Sequence, residues 1–310
     1  MPLIDPLRIQ PITGLEFFAR EVVEGFITGL HKSPYHGFSV EFAEHRQYNT
    51  GEPIRNIDWK LYARTDKLFV KRFEEETNLR CQLVIDTSAS MYYPLIQNPD
   101  ADHLTKLLFS IYAAAALMLL FKQQRDAVGL SVFNQDITET FQARSTNVHI
   151  QYLFSELEKL AQSQPPPRPH SSSVADSLHS IAESVHKRSL VIIFSDMFDK
   201  ANDPEPLFHA LQHLRHNKHE VILFHTIDRQ LEINFEFENR PYLFVDIETG
   251  KEIKMNPYEL KERYILSMKN FLDELKFRCA QYHIDIIEAD IHEGFNQILL
   301  PYLIKRSRLY

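Results

Sequence analysis

An apolar run from Cys81 to Ile85 stops at a carboxylate, Asp86, and two hydroxyls follow at alternate positions, Ser88 and Ser90. A second apolar run, Leu190 to Phe194, also ends at a carboxylate, in Ser195-Asp196. Between them His170-Ser171-Ser172-Ser173 opens a helical pattern, which adds Ser172 as a third hydroxyl, with Ser171 and Ser173 as alternatives in the same run. Hard divalent cations take oxygen ligands, and six-oxygen octahedral sites favour Mg²⁺ or Mn²⁺. A site made of hydroxyls, with carboxylates held partly through water, leaves so little protein charge on the ion that it stays electrophilic toward an outside carboxylate. The plain alternative is a serine-rich turn that only caps the next helix.

Those residues converge only if the two strands lie side by side. From residue 81 onward apolar strand patterns alternate with helical ones, which predicts an α/β fold: a doubly wound, mostly parallel sheet with helices on both faces. In such a sheet, ligands bind beyond the carboxyl ends of the strands where the strand order reverses. The expected strands are 81–86, 126–133, 137–141, 190–195, 220–225 and 284–287; a hairpin is expected over 242–255. Helices are expected over 102–123, 147–161, 174–187, 203–216, 256–282 and 294–303. Leu107 to Phe121 is almost wholly apolar, but as a helix it would span about 22 Å, against a hydrocarbon core of about 30 Å. With Lys106 and Lys122 at its two ends, it reads as a central core helix.

Ahead of the sheet, three segments differ in character. Residues 1–35 carry an amphipathic helix beginning at a capping box, Thr13 to Glu16. Residues 36–80 form a small loop- and β-rich subdomain in which aromatic, basic and acidic residues interleave around Trp59. Residues 81–310 make the main domain, with the hairpin and a long helix inserted at about 235–280. The interleaved stretch could suit single-stranded nucleic acid, but its own acids and a net charge of −8 argue against that partner. Cys81 and Cys279, both in apolar patterns, are expected to be buried thiols of a reducing compartment. No signal peptide or membrane span is expected, and the protein is placed in the cytoplasm. His209, His213 and His216 share a helix face without a carboxylate or cysteine to complete a metal site. Gly-rich phosphate loops and the GxSxG elbow are missing from the sequence, so nucleotide-binding and hydrolase folds lack their central features.

The pattern Asp86-x-Ser88-x-Ser90, then Ser172, then Asp196 resembles the metal-ion-dependent adhesion site of the von Willebrand factor A fold. Ser172 stands where that family has threonine, which keeps the hydroxyl and loses a methyl. The upstream block is more specific. Glu41-Phe42, Arg46, Tyr48, Gly51, Arg55, Ile57-Asp58-Trp59, Ala63-Arg64-Thr65, Leu68, Val70 and Phe73-Glu74 resemble the signature of the domain-of-unknown-function 58 family, which there precedes an A-type domain. Glu52-Pro53 departs from the family's usual acidic pair. Together with Asp246 to Gly250, the resemblance covers nearly the whole chain. It implies a Mg²⁺ or Mn²⁺ ion held by Asp86, Ser88, Ser90, Ser172 and Asp196, and a non-catalytic module that binds a partner's Asp or Glu. The implied partner is an AAA+ ATPase of the MoxR type, in chaperone-like assembly or remodelling. Two other expectations are carried forward: a metal-dependent hydrolase or phosphotransferase using Asp86, and a scaffold with a vestigial site.

Overall fold

A computed structural model describes residues 14–30, 45–47, 62, 64, 69–71, 79–96, 104–134, 137–164, 174–198, 205–247 and 250–309. The chain forms two compact units, Gly29–Asn78 and the combination of Met1–Thr28 with Leu79–Tyr310. In the smaller unit, β1 (His45–Gln47) and β2 (Phe69–Lys71) pair antiparallel, His45 opposite Lys71. Most of the signature block falls outside the described residues, as do Thr13 and Trp59.

The larger unit takes in α1 (Leu15–Leu30) as far as Thr28 and then carries the sheet. β3 (Arg80–Asp86) leads through α2 (Lys106–Gln123) to its parallel neighbour β4 (Ala127–Phe133), and a hairpin adds the antiparallel edge β5 (Ile137–Arg144). The chain then passes through α3 (Asn147–Ala161) and α4 (Val174–Ser184) to the opposite flank of β3, where β6 (Leu190–Ser195) pairs in parallel, Ile85 opposite Phe194. Next come α5 (Glu205–His216) and β7 (Glu220–Ile227); a two-stranded hairpin, β8 (Tyr242–Val245) with β9 (Glu252–Met255), follows as a separate ladder. α6 (Pro257–Gln281), the outer strand β10 (Asp285–Asp290) and α7 (Asn296–Leu309) complete the chain. The six-stranded order is β10-β7-β6-β3-β4-β5. Chain order therefore reverses between β3 and β6, the two strands that end in the candidate carboxylates.

β3 is buried over six of its seven residues, and β6 over all six, because helices cover both faces. On one face Val84, Val191, Ile193, Val221 and Leu223 meet α4 through Leu178 and Ile181, α5 through Leu211 and Leu214, and α6 through Leu275. On the other lies α2. It shows almost no apolar asymmetry around its circumference and is buried on nearly every side, as expected of a helix enclosed by protein. By length and composition it is the one described helix that could cross a membrane, and 83% of that window is buried inside the fold. α1 closes over it: Phe18 lies 4.7 Å from the Tyr112 ring and edge-on to Phe295. Glu16, whose expected capping partner Thr13 lies outside the described residues, pairs with Lys122 at 2.7 Å. Both cysteines are free and buried, and burial pushes their thiol pKa values up, Cys279 to about 12.

Glycine is needed at one position of the sheet. Register slips between Val128 and Leu130, where β4 bulges against β5. A Cβ on Gly129 would sit 2.2 Å from Gln82 Oε1, 2.5 Å from the Phe141 carbonyl and 2.8 Å from the Ala143 nitrogen. Two of these are backbone atoms that cannot swing aside. Gly129→Ala is expected to lower stability by about 1–3 kcal/mol, read as a lower urea midpoint; an unchanged midpoint would show that the bulge relaxes.

Candidate cation and partner site

Asp86 is the last residue of β3 and is fully buried. Its Oδ1 accepts the Ser88 N–H at 2.8 Å, and its Oδ2 accepts the Ser195 hydroxyl at 2.6 Å. The first bond closes a tight side-chain turn, which lifts Ser88 and Ser90 off the end of the strand into the 3-10 turn Ala89–Tyr92. Thr87 fastens the loop's other side, donating its N–H and its hydroxyl to the Phe133 carbonyl at the end of β4. The Ser88 and Ser90 hydroxyl oxygens stand 3.1 Å apart.

The loop after β6 supplies the second carboxylate. Ser195, which donates to Asp86, accepts the Met197 N–H at 2.9 Å. Met197 has a φ of 55°, a left-handed conformation rare for a side chain of its kind, and it turns the chain back directly after the carboxylate. Asp196 Oδ1 accepts from Phe198 N at 3.2 Å, and Asp196 Oδ2 accepts from Lys106 Nζ at 2.7 Å. The Asp196 carbonyl lies 2.9 Å from Nε2 of His225 on β7. Burial lowers the His225 pKa to about 4, so the ring is neutral and donates here.

Lys106 is where the structure departs most from expectation. It opens α2, as expected of a residue at the end of the apolar run, but its side chain is 0% exposed. The ammonium bridges Asp196 to Glu232 Oε1 at 2.6 Å. Glu232 belongs to a π-helical turn, Arg229–Ile233, that follows β7; its other oxygen accepts the Asp228 N–H at 2.9 Å. Burial opposes the Lys106 charge, but the charges of Asp196 and Glu232 outweigh it and hold its pKa above the ordinary lysine range. Burial raises Glu232 despite the facing ammonium. It also raises Asp86, helped by the negative charge of Asp196, to about 7 against the hydrogen bonds from Ser195 and Ser88.

The structure thus brings together Asp86, Ser88, Ser90 and Asp196. Ser172 lies outside the described residues, with Ser171 and Ser173; α4 is described from Val174. Three residues that pattern reading missed join the cluster: Lys106, Ser195 and Glu232. Among the described residues no three His, Cys, Asp or Glu side chains gather as metal ligands, so an ion here would depend on serine oxygens. His213 of the three-histidine face lies 3.0 Å from His179 of α4, nitrogen to nitrogen.

The donor set fits Mg²⁺. All candidate ligands are hard oxygens. Ligands at right angles about 2.1 Å from such an ion stand about 3 Å apart, close to the separation of the Ser88 and Ser90 oxygens. The Asp86 carboxylate offers about four lone-pair sites, more than its Ser88 and Ser195 donors take up. Two carboxylates, Asp196 and Glu232, face one ammonium, which leaves a negative charge for a cation to offset.

The family model described as "Protein of unknown function DUF58" matches residues 44–267. The chain belongs to the DUF58 family. Two curated relatives, the uncharacterized proteins Mb1516 of Mycobacterium bovis and Rv1480 of Mycobacterium tuberculosis, are each 24% identical over 224 residues. The match takes in 72% of this chain and 66% of each relative, a little under two-thirds of their length. Among solved structures, the conserved hypothetical protein BatB from Bacteroides thetaiotaomicron is 13% identical, with 75% of this chain and all of that one covered at a TM-score of 0.40. An aerotolerance-related membrane protein from Bacteroides fragilis is 14% identical, with 74% and 99% covered at a TM-score of 0.38. Those likenesses are too distant to add to the strand order above.

Removing the Lys106 charge strands Asp196 and Glu232 without their cation. Lys106→Met is expected to cost about 3–5 kcal/mol in urea unfolding, with much of that loss recovered in Lys106→Met/Asp196→Asn. A loss below 1 kcal/mol would mean that the bridge contributes little.

Proposed function

We propose that this DUF58 protein is a non-catalytic protein-interaction module whose grip on its partner depends on a divalent cation, Mg²⁺ or Mn²⁺. The observation behind this is the placement of two neutral hydroxyls, Ser88 and Ser90, within 3.1 Å of each other, beside carboxylates from the ends of adjacent parallel strands. Bound there, the ion would supply an electrophilic point for a carboxylate oxygen from outside. The protein's own part is orientation. Asp86 fixes the Ser88 loop and is itself held by Ser195, while Lys106 holds Asp196 and His225 holds the backbone behind it. Ser172 is proposed as a further ligand from the segment before α4.

Asp86 is poorly placed as a nucleophile: it is fully buried and both its oxygens already accept hydrogen bonds. This weighs against the hydrolase alternative. The partner is proposed to be a protein offering Asp or Glu, an AAA+ ATPase of the MoxR type, on the strength of the family resemblance. The buried free thiols Cys81 and Cys279 suit a reducing, cytoplasmic setting.

Thermal unfolding followed during Mg²⁺ or Mn²⁺ titration tests the ion. At a hundredfold excess over Kd, native stability should rise by about 2.7 kcal/mol. In Ser90→Ala, which removes a partly exposed hydroxyl and so should still fold, the apparent Kd should rise at least tenfold. No shift at millimolar metal would favour the scaffold with a vestigial site. Partner capture that survives both chelator and Ser90→Ala would remove the metal from the interaction.

A further inference from the structure

Beside the candidate site lies a cleft of about 500 Å³, and Ser90 and Glu232 belong to both. The volume is that of a ligand pocket. Six aromatic rings line it, brought from five separate stretches: Tyr93 after β3, Phe198 after β6, Phe235 and Phe237 after β7, Phe244 of β8 and Tyr264 of α6. Phe235 is buried and anchors the set: its ring lies 4.4 Å from Tyr264, edge-on to Phe237 at 4.9 Å and stacked on Phe244 at 6.1 Å. The other five are half-buried, so ring surface stays open to a ligand. Contacts of this kind fix ring orientation, and the cup is built before anything enters it.

The lining is left with no charge to offer an occupant. Glu232 is paired with Lys106, Asp246 has a partner within the protein, and no lysine, arginine or histidine is among the described lining residues. A charged occupant would give up its water without a counter-charge, which is costly. Two polar groups do lack partners. Burial raises the phenol pKa values of Tyr93 and Tyr264, the latter to about 12, so both stay protonated; neither hydroxyl has a hydrogen-bond partner among the described residues. Ring faces with two unbonded hydroxyls suit a neutral aromatic occupant that carries a polar edge: it packs edge-to-face or offset against the rings and hydrogen-bonds at its rim.

The cleft does not end at its rim. Val245, one of its lining residues, is 49% exposed, and Leu243 and Ile253 of the same hairpin are each 56% exposed. Apolar surface continued beyond a pocket suits a polypeptide more than a small molecule. Its position also fits one. Ser90 is both a wall of the cup and a proposed ligand of the ion that would meet a partner's acid. Consecutive residues of a chain lie about 3.8 Å apart, so a side chain next to that acid falls at the mouth of the cup.

We propose that this cup is a receptor for an aromatic side chain with a polar edge, tryptophan or tyrosine, carried by the partner protein next to its acidic residue. The acid rests on the metal reading above; the aromatic does not, and the test separates them. Capped pentapeptides Gly-Trp-Asp-Trp-Gly, Gly-Leu-Asp-Leu-Gly, Gly-Ala-Asp-Ala-Gly and Gly-Trp-Asn-Trp-Gly are titrated by calorimetry or NMR, in Mg²⁺ and in chelator. In Mg²⁺ the tryptophan–aspartate peptide should bind at least tenfold more tightly than the alanine peptide and at least threefold more tightly than the leucine peptide. Chelator should weaken the aspartate peptides and leave tryptophan ahead of alanine. Tyr264→Phe removes one hydroxyl and keeps the ring, so the thermal midpoint should hold while tryptophan binding falls severalfold. Phe237→Leu, at a half-buried ring, should narrow the lead of tryptophan and leave the Mg²⁺ dependence intact. A tryptophan lead indifferent to chelator and to asparagine would sink the metal reading and keep the aromatic receptor. Equal affinity of the tryptophan and alanine peptides would overturn the receptor whatever the metal does, and equal affinity of tryptophan and leucine would overturn its aromatic character. Absence of binding by the tryptophan–aspartate peptide at millimolar concentration in both conditions would overturn it outright.

Discussion

A lysine ammonium buried among carboxylates decides much of how this fold is held. Desolvating it costs several kcal/mol, which is recovered only if its partners are fixed at hydrogen-bond distance. Lys106 meets that condition with Asp196 and Glu232, at 2.7 and 2.6 Å. Three segments are thereby tied at one point: the first turn of α2, the loop leaving β6 and the turn leaving β7. The loop carrying Ser88 and Ser90 is joined to the same cluster through Ser195, which bonds Asp86 from the residue beside Asp196. Among the described residues, Asp86, Ser88 and Asp196 are therefore set in place by the chain alone, which lowers the ordering that binding would require.

The charge balance also divides the site into two zones. Behind, the buried Lys106 pairs with the buried Asp196 and the partly exposed Glu232. In front, Ser90 opens onto a cleft whose charged lining residues are carboxylates. All of this lies at one end of the sheet because β3, β6 and β7 run parallel, and chain order reverses there between β3 and β6.

Much of this was legible in the sequence. The apolar runs of β3 and β6 stop abruptly at acids, and an unbroken apolar run bounded by polar residues marks a strand covered on both faces. Grouping Asp86, Ser88, Ser90 and Asp196 required in addition only that these two strands lie side by side, as they do. Lys106 could not, because a lysine at a helix end is usually solvated. The overlooked signal was the helix itself: with no polar side it offers no route to water, so a lysine in its first turn must find buried carboxylates. Glu232 gave less warning, since the Arg229–Ile233 turn has no strand or helix periodicity. Ser195 was read as the end of a strand, though a hydroxyl next to an acid at that position is a natural second support. The aromatic cup was invisible because its rings lie up to 171 positions apart, from Tyr93 to Tyr264.

The all-apolar surface that suits α2 to the centre of the fold bears on the protein's synthesis. Its 18 residues are hydropathic enough to resemble a membrane span, and most of what hides them is made later. β4 follows at once, but β6 begins at residue 190, about 67 residues after α2 ends at 123. At 5–20 residues per second, that interval is on the order of 3–13 s. Through it the nascent chain carries an incompletely covered apolar helix whose first-turn lysine has met neither Asp196 nor Glu232. The growing chain therefore passes through a stage in which its future core is open to chaperones, to membrane-insertion machinery and to other nascent chains, and that stage ends only when β6 and β7 are in place.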